Sequence, residues 1–189
     1  AAQGKAVFAL FPELGLSAYS NEDLFHQDAL LKAVIANLKR LLTATTDLPV
    51  ILVVGAPLQV GARLFNCGLV LYRGKTLGVA VKSYIPNYRE FYERRQFSPA
   101  EEALSSTIDL CGQKDIPFGA DLIFEVETIP NFRFYIELCE DLWVPVPPSS
   151  FAALAGAIVM ANLSASNVTI GKADYRHDLA ANQSARCVA

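Results

Sequence analysis

Three polar residues of this sequence each follow a run of apolar residues that is typical of a buried strand. Glu13 follows AVFALFP, Lys82 ends TLGVAVK, and Cys139 ends FRFYIELC. In open α/β sheets, ligands bind beyond the carboxyl ends of the strands, so residues at three such ends can converge on one pocket. Together they could hydrolyse an amide, with the thiol as nucleophile, the carboxylate as general base and acid, and the ammonium as oxyanion donor.

Cys139 has acidic neighbours along the chain, namely Glu137, Glu140 and Asp141. Carboxylates beside a thiol raise its pKa, because the thiolate would carry the same charge as they do. The cysteine is therefore either an inert buried residue or a nucleophile with a cation nearby, and Lys82 is the candidate cation. From composition and spacing alone the inert alternative stays open, in which the other two polar residues are a turn residue and a solvated strand end.

Apolar periodicity predicts the elements that would position these residues. Strands are predicted at residues 7–11, 49–58, 63–72, 76–83, 120–127, 132–138 and 157–163. Helices are predicted around the apolar stripe Leu31, Val34, Ile35, Leu38 and Leu42, at residues 149–157 and from residue 172 onward, with a weak helix start at 98–101. Ser20 or Asn21 could cap the first helix. Mixed hairpins and βα units indicate an α/β layered fold.

The composition excludes several classes of function. The 189 residues suffice for one α/β domain, and a net charge of −3 gives no basic patch for a nucleic-acid backbone. No apolar run approaches the roughly 20 residues of a membrane helix. Four cysteines without a CxxC pair and two separate histidines predict no metal site. Unpaired cysteine spacing and the lack of a visible leader predict a cytoplasmic setting.

Common cofactor and nucleophile motifs are not matched. The stretch GLVLYRGKT has five residues between Gly68 and Gly74 where a P-loop needs four, and it lies in a predicted hairpin. The sequence contains neither GxGxxG nor GxSxG. These absences leave a dinucleotide fingerprint and a serine nucleophile elbow unsupported, while a pair of Cys139 with His26 or His177 stays open.

Four stretches carry a family resemblance: FPELGLSAY, KSYIPNYREFYERRQF, YIELCEDLW and NLSAS. They resemble the nitrilase (carbon-nitrogen hydrolase) superfamily and, within it, the glutaminase domains of glutamine-dependent NAD synthetases. The resemblance implies a catalytic triad of Glu13, Lys82 and Cys139. It also implies a four-layer α-β-β-α sandwich, incomplete at both ends, with residues 1–189 as a partial glutaminase domain and the synthetase domain outside this chain.

The same resemblance implies further site residues. Glu90 matches a second glutamate that assists catalysis, together with Tyr88. The substrate-binding positions are Tyr19, Tyr88, Glu140, Ser166 and Lys172. Glu140 and Ser166 are expected at the α-amino and α-carboxylate ends of glutamine, and a lysine at position 172 would pair with the carboxylate as a point charge.

The function implied is hydrolysis of L-glutamine to glutamate and ammonia through a cysteine thioester. The ammonia would feed ATP-dependent amidation of deamido-NAD, so ATP and magnesium are expected in the missing synthetase domain and no cofactor in this one. Expected partners are that domain and further copies in a homo-oligomer, without nucleic acid or membrane. The alternatives are a related amidase or nitrilase acting on another small substrate, and a non-catalytic interaction domain.

Overall fold

The computed structural model describes residues 2–189, which form nine strands and three α-helices. The strands are β1 (Phe8–Leu10), β2 (Ile51–Val60), β3 (Arg63–Tyr72), β4 (Lys75–Val81), β5 (Thr107–Leu110), β6 (Gln113–Gly119), β7 (Ile123–Glu125), β8 (Arg133–Leu138) and β9 (Val159–Leu163). The helices are α1 (Asp28–Ala44), α2 (Pro148–Leu154) and α3 (Lys172–Cys187). Short 3₁₀ turns join several of them, and one of these turns spans Cys139–Leu142.

The strands form a large sheet and a small one. The large sheet has the order β1-β2-β3-β4-β6-β5, and the small sheet has the order β7-β8-β9. Strand β3 is antiparallel to both of its neighbours, β2 and β4, while β1 is parallel to β2. Strands β1 and β4 therefore point the same way, so their carboxyl ends lie at one edge of the large sheet.

The two sheets pack face to face through apolar side chains. Large-sheet residues Val53, Val70 and Ala80 are buried in one cluster with the small-sheet residues Phe134, Ile136, Ala161 and Leu163. Alternation along each strand places one set of side chains in this interface and the other set on the outer faces. Position 68 lies in this interface, and glycine fits there because a Cβ would stand only 3.1 Å from the Ile136 side chain.

Helices cover both outer faces. The buried stripe of α1, Val34, Leu38 and Leu42, packs on the large sheet. Helix α2 packs on the small sheet, where Ala152 contacts the Tyr135 cluster, and α3 contacts α2 through hydrogen bonds from the Gln183 amide to Ser149 and Ser150. The predicted α-β-β-α layer order is confirmed.

The structure changes two details of the predicted elements. Helix α1 begins at Asp28 instead of directly after the proposed cap, because a 3₁₀ turn at Glu22–His26 comes first. The helix start predicted at residues 98–101 is only a 3₁₀ turn at Ala100–Glu102. Within residues 2–189, none of the helices combines the length and apolar character needed to cross a membrane.

Candidate active site

Lys82 and Glu13 form a buried ion pair beyond two parallel strands of the large sheet. Lys82 directly follows β4, and Glu13 lies in the loop after β1. The Lys82 Nζ donates a hydrogen bond of 2.6 Å to Glu13 Oε1, and neither side chain is exposed to solvent. Convergence of these two residues is what the strand-end pattern predicts.

Cys139 reaches the ion pair from the small sheet. It directly follows β8 and has a left-handed backbone with φ of 43°, a conformation that ends the strand and is uncommon for a residue other than glycine. The Ser164 hydroxyl donates to its Sγ over 3.5 Å. The Ala165 N–H donates to Glu13 Oε2 over 3.0 Å and also faces the thiol. The Cys139 sulfur and the Glu13 carboxylate therefore lie close together, on either side of the Ala165 N–H.

The glutamate that contacts Lys82 together with Glu13 is Glu93, and Glu90, the residue expected to assist catalysis, makes no contact with Lys82. Both carboxylate oxygens of Glu93 accept hydrogen bonds of 2.9 Å from Lys82 Nζ, and the side chain is only 8% exposed. Glu90 lies on an exposed loop and accepts a hydrogen bond from the Asn167 amide. A 3₁₀ turn at Glu93–Arg95 holds the later glutamate against the lysine.

Tyr19, expected to bind substrate, contacts the carboxylate network around Lys82. Its hydroxyl donates a hydrogen bond of 2.6 Å to Glu93 Oε1. Burial, and then the charge of Glu93, raise the pKa of Tyr19 well above its usual value, so the phenol stays protonated and remains a donor. Tyr19 therefore supports the glutamate that supports Lys82.

Asn66 is a member of this network that the motif comparison does not indicate. It is fully buried in β3, and its amide donates to Glu13 Oε1 over 2.8 Å. Its backbone carbonyl accepts a hydrogen bond of 3.0 Å from the Lys82 backbone N–H. The available signal is one polar residue inside the apolar run RLFNCGLVLY, because buried polar side chains need a partner.

Burial sets the charge state of the nucleophile candidate. Burial first, and then Glu13, raise the pKa of Cys139 to about 12, although Lys82 acts in the opposite direction. The thiol is therefore protonated at neutral pH, and an attack by the sulfur needs a base for its proton. Burial alone would lower the pKa of Lys82, but Glu13, Glu93 and Cys139 together raise it, so the lysine stays cationic.

The carboxylates beside Cys139 in sequence are directed to other partners. Glu137 is buried and accepts hydrogen bonds from the Ser149 N–H and the Asn162 amide. Asp141 is buried and accepts three backbone N–H groups. The carboxylate that raises the pKa of the thiol most is Glu13, which comes from a distant part of the chain. Sequence neighbours are thus a poor guide to the charges around this thiol.

A cavity of about 670 Å³ opens above Cys139. Four of the predicted substrate-binding residues line it, namely Tyr88, Glu140, Ser166 and Lys172. Glu90 lies on the same wall. Among residues 2–189, no group of three His, Cys, Asp or Glu side chains is placed to hold a metal ion. The cavity is lined by charged and hydroxyl side chains.

Opposite charges are held on the cavity wall. The Tyr88 hydroxyl lies 3.1 Å from both Glu140 oxygens, and burial raises the pKa of that half-buried carboxyl. The Lys172 Nζ lies 5.1 Å from the centre of the Trp143 ring and donates to the Asn167 side chain, which also contacts Glu90. A cation over an indole face is stabilised by the ring quadrupole. The cavity can thus bind a small molecule with a cationic and an anionic end.

Comparisons with known proteins identify the family of this chain. A carbon-nitrogen hydrolase family model matches residues 1–187. The chain is 52% identical over 184 residues to a glutamine-dependent NAD(+) synthetase of Mycobacterium bovis, a match that covers 97% of this chain and 27% of that protein. The chain therefore spans about a quarter of the length of the curated relatives it matches.

Solved structures share the fold. A glutamine-dependent NAD(+) synthetase from Cytophaga hutchinsonii superposes with a TM-score of 0.82 and 26% identity, over 96% of this chain and 28% of that one. An amidase of the nitrilase superfamily from Nesterenkonia superposes with a TM-score of 0.68 and 16% identity, over 97% of this chain and 60% of that one. Because the family model covers nearly all of its residues, this chain belongs to the carbon-nitrogen hydrolase family.

Proposed function

We propose that this chain hydrolyses the side-chain amide of L-glutamine and is the glutaminase part of a glutamine-dependent NAD synthetase. The observation that carries the proposal is the buried Glu13–Lys82 pair beside Cys139, at the base of a cavity with charged walls. The glutamine-dependent relatives at 52% and 50% identity point to glutamine as the amide. The Nesterenkonia amidase, whose active-site cysteine carries an acetamide group from fluoroacetamide, supports covalent chemistry for the fold.

The cavity suits the two charged ends of an amino acid. Glu140 would accept the α-ammonium group, and Lys172 with the Ser166 hydroxyl would hold the α-carboxylate. Tyr88 would orient Glu140 through their hydrogen bond. The side-chain amide of glutamine then extends toward Cys139, and a substrate without both charged ends would bind more weakly.

Acylation requires a proton transfer from the thiol. Glu13 takes the Cys139 proton as the sulfur attacks the amide carbon, and Lys82 stabilises the negative oxygen of the tetrahedral intermediate. The intermediate collapses when the carbon–nitrogen bond breaks and Glu13 returns the proton to the departing ammonia. The product is a γ-glutamyl thioester on Cys139.

Deacylation uses the same residues, with water as the nucleophile and the Cys139 sulfur as the leaving group. Glu13 removes a proton from a water molecule that attacks the thioester carbon, and Lys82 again faces the negative oxygen. The carbon–sulfur bond breaks, the sulfur regains a proton from Glu13, and glutamate leaves. A lysine that stays cationic throughout keeps the site ready for both steps.

The ammonia would be used elsewhere in a longer protein. The relatives are named glutamine-dependent NAD(+) synthetases. The family resemblance implies a synthetase domain that amidates deamido-NAD with ATP and magnesium, and this chain would deliver ammonia to it. We infer that the whole enzyme works in the cytoplasm as a homo-oligomer. The 52% hydrophobic composition is consistent with an interface between copies, and equally with a large core.

The function is tested by measuring ammonia release from a panel of amides in the full-length protein. We expect kcat/KM for L-glutamine to exceed that for simple aliphatic amides by about 10³-fold or more, because only glutamine leaves no charged wall residue unpaired. Asparagine is too short to reach Cys139 with both ends bound, and it should also be poor. If the protein instead prefers a small uncharged amide or a nitrile, the glutaminase proposal is wrong and the chain is a different amidase or nitrilase.

Glu93 and Glu90 form a matched pair of glutamates for a second test. Changing Glu93→Gln leaves Lys82 with one carboxylate, and we expect kcat to fall about 100-fold, by analogy with losing an oxyanion donor. Changing Glu90→Gln alters only the contact with Asn167, and the Asn167 side chain in turn accepts a hydrogen bond from Lys172. Because Lys172 is a proposed substrate-binding residue, we expect KM to rise about threefold while kcat is unchanged. Steady-state kinetics that reverse the two effects would restore Glu90 to the catalytic position.

A further inference from the structure

Asp141 is a buried carboxylate that the hydrolysis above does not use. It lies two residues after Cys139 and is only 1% exposed. Its Oδ1 accepts hydrogen bonds from the Ser83 N–H at 3.1 Å and the Tyr84 N–H at 2.8 Å. Its Oδ2 accepts the Leu138 N–H at 3.0 Å. One side chain thus serves three backbone donors from two separate segments.

The two segments are the ones that carry the reacting groups. Ser83 and Tyr84 directly follow Lys82, whereas Leu138 directly precedes Cys139. Lys82 follows β4 of the large sheet and Cys139 follows β8 of the small sheet, and these sheets are joined by apolar packing and not by a strand ladder. The Asp141 carboxylate therefore connects the lysine strand to the cysteine turn by direct hydrogen bonds.

We propose that Asp141 is a positioning residue that sets the separation between the Lys82 ammonium and the Cys139 sulfur. This role rests on the proposed amide hydrolysis, because the separation matters only if both groups act on one carbonyl. Apolar side chains between sheets can slide by fractions of an ångström, whereas three charge-assisted hydrogen bonds fix direction as well as distance. A misplacement of about 1 Å at a reacting centre can cost about 100-fold in rate.

The charge of Asp141 gives the role a pH signature. Burial raises its pKa to about 7, and the nearby Glu137 raises it while the Leu138 and Tyr84 N–H groups and Lys82 lower it. Tyr135 also faces this carboxylate from β8, and its own raised pKa keeps it neutral. Below neutral pH the carboxyl gains a proton, so one of its oxygens is a poorer acceptor for the backbone donors and the connection weakens.

Glu137 provides a matched control. It is also buried, at 2% exposed, and lies two residues before Cys139. Its oxygens accept from the Ser149 N–H at 3.2 Å and the Asn162 amide at 3.3 Å, so its contacts stay with the small sheet and α2. Changing Glu137→Gln removes a buried carboxylate near the thiol without touching the segment after Lys82.

The experiment compares Asp141→Asn with Glu137→Gln in the full-length protein. The asparagine keeps the shape but turns an amide NH₂ toward a backbone N–H. Above neutral pH we expect kcat for glutamine to fall about 100-fold in Asp141→Asn and less than about threefold in Glu137→Gln. The ratio of wild-type to Asp141→Asn kcat should shrink as the pH drops below 7, because wild-type Asp141 is then protonated too.

A second readout does not need glutamine. Iodoacetamide alkylation of Cys139, followed by peptide mass spectrometry, should slow about tenfold in Asp141→Asn and change less than about twofold in Glu137→Gln, since thiol reactivity depends on the proton acceptor and cation nearby. The positioning role would be overturned if the two variants showed equal effects. It would also be overturned if Asp141→Asn were alkylated at the wild-type rate and its kcat, relative to wild type, did not change with pH. Alkylation that responds as expected in a protein inactive on glutamine would overturn only the proposed function.

Discussion

Replacing Cys139 with alanine should abolish glutamine hydrolysis, with ammonia release lowered by about 10⁴-fold or more. The reason is that the acyl intermediate forms on the Cys139 sulfur, and without it Glu13 would have to activate water against an unactivated amide. Because alanine fills less space than cysteine and carries no charge, the Glu13–Lys82 ion pair should survive the change. The measurement is the rate of ammonia release with saturating glutamine.

A second cysteine offers the control for that result. Cys111 lies in the turn between β5 and β6, partly exposed and far from the ion pair in sequence and fold. We expect Cys111→Ala to keep the wild-type rate within about twofold, as for surface changes away from a site. Residual turnover in Cys139→Ala at more than a few per cent would mean that the thiol is not the nucleophile.

Replacing Lys82 with methionine should have the next largest effect. Methionine has a similar length but no charge, so the oxyanion donor is lost and the pKa of Cys139 loses the influence that lowers it. Loss of one oxyanion donor costs about 10²–10³-fold in kcat, and the added cost of ionising the thiol should bring the total to about 10³-fold or more. The same change leaves Glu13 and Glu93 facing each other without a cation.

The effect on stability provides an independent check. Removing one partner of a buried ion pair destabilises a protein by about 3–5 kcal/mol, unless a remaining carboxyl takes up a proton. We therefore expect urea to unfold Lys82→Met at lower concentration. Part of the loss should be recovered at acidic pH, because burial raises the pKa of Glu93 and its carboxyl can then be neutral. Lys75→Met, at the exposed start of the same strand, should change neither activity nor unfolding. Equal losses in both variants would show that the ion pair is unimportant.

Much of the fold could be predicted because its strands and first helix have strong apolar patterns. The runs that became β2, β3 and β4 are almost wholly buried, and the stripe on α1 repeats at helical spacing. The hairpin of β5 and β6 could not be predicted in the same way. Strand β6 contains a proline, Pro117, and exposed charged residues, Lys114 and Asp115, so its pattern resembles a loop.

The proposed catalytic residues were easier to find than their hydrogen-bond partners. Glu13, Lys82 and Cys139 stand at strand ends, where topology brings side chains together. Glu90 and Glu93 lie in one irregular, aromatic-rich loop, and no periodicity decides which of them turns inward. Only the path of that loop, with its 3₁₀ turn, places Glu93 and not Glu90 on the lysine.

The acids around Cys139 illustrate a second limit of sequence reasoning. A strand directs alternate side chains to opposite faces, so Glu137 and Cys139 would share a face if β8 continued. The strand ends at Leu138, and the left-handed backbone of Cys139 removes it from that alternation. The Asp141 carboxylate then accepts hydrogen bonds from three backbone N–H groups. This arrangement depends on tertiary contacts between the sheets, so the local sequence gives no sign of it.

The central claim is that Cys139 carries the γ-glutamyl group during turnover. The most direct measurement is rapid quenching of the full-length protein with acid during its first turnover of glutamine, followed by intact-mass and peptide mass spectrometry. We predict that ammonia appears before glutamate and that the peptide containing Cys139 gains the mass of one γ-glutamyl group, with no gain in Cys139→Ala. Simultaneous release of ammonia and glutamate with no added mass, or an acyl group on another residue, would contradict the account.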